Sequence, residues 1–131
     1  MSSSVDDAIA NYVSDQSEAG MRALDNALMA AFFMVPLREK AREISPGKFD
    51  IPTVSIRTTD GSVLPVFTSD DHMRAWKPEG GEYARLQGPA LVRMVQDMPE
   101  IAAIIINIKS EPRGLIPRSD FARLLALGAS F

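Results

Sequence analysis

One histidine decides which acid–base chemistry this sequence could support. His72 is the single histidine, and the chain of 131 residues has no cysteine. Zinc sites built from histidine and cysteine, cysteine nucleophiles and disulfides are therefore excluded. Asp71 and Asp70 come just before His72, and neighbours this close in sequence do not share one face of a helix. We expect His72 to be an exposed helix residue with no metal site around it.

Serine catalysis and phosphate binding both lack their sequence motifs. A Ser-His-Asp triad would have to use His72, and no G-x-S-x-G segment is present to hold a nucleophile. The phosphate-binding patterns G-x-x-x-x-G-K-[ST] and G-x-G-x-x-G are also missing, and Gly80-Gly81 is interpreted as loop. We therefore predict that the chain is not an enzyme and has no catalytic, cofactor-binding or metal-binding residues.

The charge of the chain argues against nucleic acid as a partner. The formal net charge is −3, whereas nucleic-acid binding needs a dense basic surface to neutralise phosphates. Residues 1–20 carry four acidic side chains and no basic one, and residues 109–123 carry four basic and two acidic side chains. This asymmetry could steer a contact within or between molecules, although two oppositely charged solvated faces are the simpler interpretation.

No segment has the length and composition of a membrane anchor. The longest apolar run, residues 27–35, is nine residues long, whereas a membrane-spanning helix needs about 20. The first residues have neither the basic nor the apolar region of a signal peptide. We expect a cytoplasmic protein that does not bind membranes, and the lack of cysteine fits that compartment.

Two single residues allow alternative interpretations. Trp76 is the only tryptophan, a residue type enriched in binding hot spots, but a lone tryptophan near a helix end more often closes a core. Asn107 interrupts the apolar run from Ile104 to Ile108, and a polar side chain there needs a hydrogen-bond partner. It can satisfy a neighbouring loop or line a ligand pocket at the end of a strand.

The elements that position these residues follow from apolar spacing. Helical intervals predict an N-terminal hairpin of two helices, the second beginning at Ser17 or Glu18. The run 32–36 predicts a first strand, and residues 37–52, with two prolines, predict an irregular connection. Asp60-Gly61 predicts a tight turn between two paired strands, because glycine accepts the positive φ that such turns require.

The second half alternates strands and helices. Pro65 inside the run 62–68 predicts an edge position or a bulge, because proline cannot donate to a sheet ladder. Ser69 is expected to cap a short helix that carries His72 and Trp76. Further strands are predicted at 83–87, 101–108 and 114–116, with a helix before residue 101 and a closing helix after Pro117.

The order of several short segments resembles the N-terminal domain of the SseB family, whose name comes from an enhanced-serine-sensitivity phenotype. The most distinctive segment is Leu64-Pro65-Val66-Phe67-Thr68-Ser69, and the resemblance covers nearly the whole chain. The other matching segments are Phe33-Met34-Val35-Pro36, Trp76, Leu86-Gln87-Gly88 with Leu91, Ile105-Ile106-Asn107, Gly114-Leu115 and Leu124-Leu125. The resemblance implies a small bacterial cytoplasmic protein with no established biochemical activity.

Together these observations predict a single α+β domain over residues 1–131. We expect a mixed sheet of about four or five strands, packed helices and an N-terminal helical hairpin. The favoured function is a non-catalytic binding or regulatory module that uses no cofactor and contacts a protein partner or a second copy of itself. Two alternatives stay open: a small-molecule pocket or cryptic enzyme near Ser69 and Asn107, and a structural homodimer. The predicted contact surface consists of Phe67, Thr68, Ser69, His72, Trp76 and Asn107.

Overall fold

The structure is a computed structural model that describes residues 4–14, 16–40, 42–46, 48–59 and 61–128. In the first half the elements are α1 (Ser4–Ser14), α2 (Glu18–Ala30), β1 (Phe32–Pro36), β2 (Arg42–Ser45), β3 (Lys48–Asp50), β4 (Ile56–Thr58) and β5 (Gly61–Val66). In the second half they are α3 (Asp70–Trp76), β6 (Tyr83–Gln87), α4 (Gly88–Gln96), β7 (Ile101–Ile106), β8 (Gly114–Pro117), a 3₁₀ turn (Arg118–Asp120) and α5 (Phe121–Gly128).

A mixed four-stranded sheet with the order β4-β5-β7-β8 forms the centre of the fold. The inner strands β5 and β7 run parallel, and β4 and β8 are antiparallel to their neighbours. Parallel strands need a long crossover connection, and α3, β6 and α4 supply it here. The core side chains Leu64, Val66 and Ile104 are fully buried, so this sheet holds the centre of the domain. The predicted α+β class, mixed sheet and helical hairpin are confirmed.

In the part of the chain that the structure describes, one isolated bridge joins the second sheet, β1 with β6, to the first. Met34 and Phe67 exchange backbone hydrogen bonds of 2.7 and 2.9 Å. Backbone groups alternate along a strand, so the nitrogen of Pro65 faces the same side as that of Phe67. On that side, pairing with β4 ends at Val63 and pairing with β1 begins only at Phe67. Pro65 therefore lies in a gap of the ladder, which is why an interior strand tolerates it.

The prediction for Pro65 was therefore wrong in one respect. The strand β5 is interior in the sheet, not an edge strand. The register of β5 against β7 does shift between Ser62 and Val63, close to the predicted bulge. Sequence alone could not place the gap, because it depends on where β4 ends and β1 begins.

The predicted hairpin of β4 and β5 is confirmed, with Thr58 paired to Gly61 and a φ of 123° at Gly61. Asp60 lies outside the described residues. The connection predicted as irregular contains an additional hairpin, β2 with β3. All four residues of β2 are exposed, so the strand lacks the alternation of buried and exposed positions that sequence patterns detect.

Close contacts fix the helices onto the sheets. The second helix begins at Glu18, within the predicted start, and Ser17 caps it by accepting from the backbone N–H of Gly20. At the start of α4, a Cβ added to Gly88 would lie 2.1 Å from the carbonyl oxygen of Leu28, so only glycine allows α2 and α4 to approach here. The described part of the chain contains no helix long and apolar enough to cross a membrane.

Two arginines of the basic stretch 109–123 are used inside the molecule. Arg118 donates to backbone carbonyls at the end of α4 and the start of β7, among them those of Val95 and Ile101, and so caps the helix from outside it. Arg123 forms a bidentate ion pair with Asp25, in which Nε and Nη2 donate to the two carboxylate oxygens at 3.0 and 3.2 Å. That hydrogen bond raises the pKa of Arg123 above its ordinary value. Both side chains therefore contribute to the fold rather than to a free basic surface.

Candidate functional site

Asn107 lies at the end of β7 and is fully buried, with a φ of 56°. Its side-chain Nδ2 donates to Thr68 Oγ1 at 3.1 Å and to the carbonyl of Pro112 at 3.0 Å. Its Oδ1 accepts from the backbone N–H of Thr68 at 3.1 Å. Asparagine tolerates the left-handed conformation, and its amide replaces the sheet ladder where β7 ends. The interpretation that Asn107 satisfies neighbouring loops is confirmed.

Asp6 in the first turn of α1 joins this site although it was not predicted to. Its Oδ1 accepts the hydroxyl proton of Thr68 at 2.5 Å, and the residue is only 7% exposed. The sequence suggested only a helix-dipole role for Asp6. Its position between the core residues Val5 and Ile9 was the available signal that it faces the interior.

His72 links three separate parts of the chain. Its Nε2 lies 3.2 Å from Asp6 Oδ2, and its Nδ1 lies 2.6 Å from Ser110 Oγ. The side chain is 16% exposed, so the prediction of an exposed helix residue was wrong. The cause is tertiary: α3 begins where α1 and the loop after β7 meet. The predicted cap is confirmed, because the backbone N–H of His72 donates to Ser69 Oγ at 3.3 Å. The polar cluster is defined here as Asp6, Thr68, His72, Asn107 and Ser110.

Ser110, His72 and Asp6 have the residue types of a catalytic triad, and hydrogen bonds join them in the same order, with the histidine between the serine and the carboxylate. A neutral His72 with its proton on Nε2 would donate to Asp6 and accept from Ser110, which polarises the serine hydroxyl. The backbone N–H of Ser110 already donates to the carbonyl of Asn107 at 3.2 Å, so it is not available to stabilise an oxyanion. None of the described cavities is lined by His72 or Ser110.

The predicted contact surface comes together in space, but not all of it reaches solvent. Phe67 and Asn107 are fully buried and cannot contact a partner directly, which corrects that part of the prediction. The ring of Trp76 packs on Phe67 with 5.6 Å between centroids, so it covers the core at this point. Thr68, Ser69, His72 and Trp76 are partly exposed.

Exposed and partly exposed side chains lie together on one face of the second sheet. Phe32 and Tyr83 are 50% and 47% exposed, on the face of β1 and β6 that points away from the core. The guanidinium of Arg85 lies 4.7 Å from the ring centroid of Phe32, and Met34 is paired with Arg85 across the strands. The backbone of Met34 also pairs with that of Phe67, and the ring of Trp76 packs on the ring of Phe67. The outer patch is defined as Phe32, Met34, Tyr83 and Arg85.

The described cavities lie away from the polar cluster. The largest, about 680 Å³, is an open groove along the outside of α1 and α2 lined by small residues such as Ala8 and Gly20. A smaller apolar cleft of about 220 Å³ separates the helical hairpin from β8. Among the described residues, no group of three or more histidine, aspartate or glutamate side chains is arranged to hold a metal ion.

Fold and site together define a small α+β domain with an internally hydrogen-bonded polar cluster beside its central sheet. The family model for the SseB protein N-terminal domain matches residues 5–122. The chain therefore belongs to the SseB N-terminal domain family, and the resemblance inferred from the sequence is confirmed. A comparison with curated proteins found no match.

Proposed function

We propose that this domain is a non-catalytic binding module and that the outer patch is its contact face for a protein partner. The observation that carries the proposal is the exposure of Phe32 and Tyr83, half of whose surface is open on a regular sheet face. Aromatic residues, methionine and arginine are enriched in the centres of protein interfaces, and all three types occur in this patch.

The charge of the patch indicates the kind of partner. No ion pair joins Arg85 to a carboxylate among the described residues, and its guanidinium stacks on the ring of Phe32. A partner that places a carboxylate beside an apolar side chain would satisfy the arginine and cover both aromatic rings. The same guanidinium keeps its stacking contact in the complex, so little side-chain entropy is lost on binding.

The backbone of β6 adds a second recognition element. Among the described strands β6 pairs only with β1, so one edge of this short strand has open N–H and C=O groups. An extended segment can add to such an edge, with main-chain hydrogen bonds giving affinity and side-chain contacts giving specificity. We therefore propose an extended, acidic and apolar segment of another protein as the partner.

The polar cluster supports the non-catalytic part of the proposal. Its donors and acceptors are used within the molecule, and no buried side-chain nitrogen or oxygen among the described residues lacks a partner. Catalysis by a serine also needs a free oxyanion donor and a substrate cavity, whereas the backbone N–H of Ser110 is already used and none of the described cavities is lined by Ser110.

Affinity capture from the native cell extract, with the chain and three variants, tests the proposal. We expect the double change Phe32→Ser and Tyr83→Ser to lower the affinity for the captured partner at least tenfold. Arg85→Gln should weaken binding less, and mainly at low salt, because screening already weakens an exposed charge. The matched control is Ile44→Ser, which removes an apolar side chain that is 69% exposed outside the patch.

Two results would contradict the proposal. One is equal capture by the wild-type chain and the double variant while the partner is saturable. The other is a concentration-dependent dimer in light scattering that the double variant abolishes, which would make a second copy of the chain the occupant. Circular dichroism of each variant confirms that it is folded before binding is compared.

A further inference from the structure

An apolar opening lies beside the helical hairpin, and no residue of the outer patch lines it. It separates the helical hairpin from the edge strand β8 and has a volume of about 220 Å³. A hollow of about 130 Å³ adjoins it and shares much of its lining. The two together are called the hairpin cleft, and their shared residues are Tyr12, Leu24, Leu28, Leu115 and Ile116.

The walls of the hairpin cleft are apolar and partly unfilled. Leu115 at its mouth is 61% exposed, so this side chain can gain apolar burial when a ligand covers it. Gly114 lines the cleft without a side chain, and a Cβ there would lie 3.3 and 3.5 Å from the terminal carbons of Ile106 and Ile9. A side chain at position 114 would therefore crowd these two isoleucines, so the wall is tightly packed at Gly114 and the open part of the cleft lies elsewhere along its lining.

The two ends of the cleft differ in charge. Arg113 lines one end. It forms an ion pair with Glu111 at 3.1 Å, and the two side chains are 60% and 76% exposed. An exposed pair of this kind contributes little to stability, so Arg113 can exchange Glu111 for another carboxylate. At the other end, Arg123 is held by both Asp25 and Asp120, which leaves an excess of negative charge there.

Size and charge define the ligand. We propose that the hairpin cleft binds a small monocarboxylate with an aliphatic or aromatic body. The carboxylate pairs with Arg113, and the body lies between the helical hairpin and Leu115. Each hollow is smaller than the roughly 300–1,000 Å³ of sites for drug-sized ligands, which favours a single ring or a short chain. The acidic end of the cleft disfavours the opposite orientation. This site is independent of the outer patch.

Amide chemical-shift titration with 3-phenylpropionate tests the proposal, because it reports both affinity and location. The neutral 3-phenylpropanol and the cationic 3-phenylpropylamine serve as matched probes of the same shape. We expect saturable shifts at Tyr12, Gly114 and Leu115, and a dissociation constant for the acid at least tenfold lower than for the alcohol. Arg113→Gln should remove the difference between acid and alcohol.

Three controls make every outcome decisive. Arg93→Gln, which removes an exposed arginine on α4, should leave the preference for the acid intact. Leu115→Asp should weaken binding of the acid at least tenfold, and Phe32→Ser with Tyr83→Ser should leave it unchanged. The proposal is overturned if acid and alcohol bind equally to the wild-type chain, if no probe gives saturable shifts, or if the shifts lie on β1 and β6.

Discussion

The polar cluster and the outer patch differ in how far their side chains are satisfied by contacts within the fold. The cluster contains the residue types of an active site, yet its hydrogen bonds connect α1, α3 and the loop after β7 to one another. The outer patch has one charged residue and neither histidine nor carboxylate, yet its aromatic rings are half exposed. If the proposed function is correct, reactive residue types do not mark the working surface of this domain. What distinguishes a binding face is chemistry that the fold leaves unsatisfied.

The difference has a physical basis. Burying a polar group without a partner costs about 1–3 kcal/mol, so a buried cluster is stable only when its members satisfy one another. An exposed aromatic ring leaves no hydrogen bond unmade, so it lowers the stability of the folded chain only slightly. A partner that covers the ring gains the apolar burial that folding left unused.

Among changes within the polar cluster and the outer patch, the largest effect on stability is expected from Asn107→Ala. The change leaves buried partners of the amide unpaired and places an alanine at a positive φ, so we expect the free energy of unfolding to fall by about 3 kcal/mol or more. Urea denaturation measures it. Asn107→Gly removes the same hydrogen bonds but accepts the backbone conformation, so its loss should be smaller by about 1 kcal/mol. A loss below about 0.5 kcal/mol for Asn107→Ala would show that the cluster does not hold the fold together.

A smaller effect is expected from Ser110→Ala, which removes the hydroxyl beside His72 Nδ1. One part-buried hydrogen bond is lost, so the unfolding free energy should fall by about 1 kcal/mol. The wild-type chain should also resist labelling by a fluorophosphonate, a reagent for activated serines. Labelling of the wild-type chain that Ser110→Ala abolishes would make Ser110 a nucleophile and would reverse the comparison between the two regions. Ser119→Ala, at an exposed serine, is the matched control.

The smallest effect is expected from Phe32→Ala. Surface substitutions usually change stability by no more than about 0.5 kcal/mol, and this side chain is half exposed. The adjacent Phe33 is 1% exposed on the opposite face of β1, and Phe33→Ala should cost about 3–5 kcal/mol. Thermal unfolding of the two variants gives the contrast directly. A large loss for Phe32→Ala would mean that the outer patch is structural and is not kept free for a partner.

Local signals in the sequence were sufficient for most elements. Ser69 caps α3 as predicted and α2 begins at the predicted place beside Ser17, because a cap depends on residues only three positions away. The apolar run before Asn107 forms the inner strand β7, since a strand covered on both faces needs apolar residues throughout. The exposed hairpin of β2 and β3 was missed because it buries no face and so leaves no periodic pattern.

The site could be predicted only in part, because it depends on contacts between distant residues. Thr68, Ser69, His72 and Asn107 were selected from the sequence, and they do come together. Asp6 and Ser110 were not selected: Asp6 lies more than sixty positions before His72, and no local motif joins either residue to it. A G-x-S-x-G segment is only one local way to position a catalytic serine. Its absence therefore could not exclude a triad-like set of hydrogen bonds between residues of three separate elements.

The amino-acid sequence by itself determined the α+β class, the order of nearly all elements and the family, because these depend on apolar spacing and short-range hydrogen bonds. Only the tertiary structure decided that His72 is held between Asp6 and Ser110, that Pro65 lies in a gap of the ladder, and that Phe67 is buried while Phe32 is exposed. These outcomes depend on which surfaces pack against each other, and packing is settled by the whole chain at once.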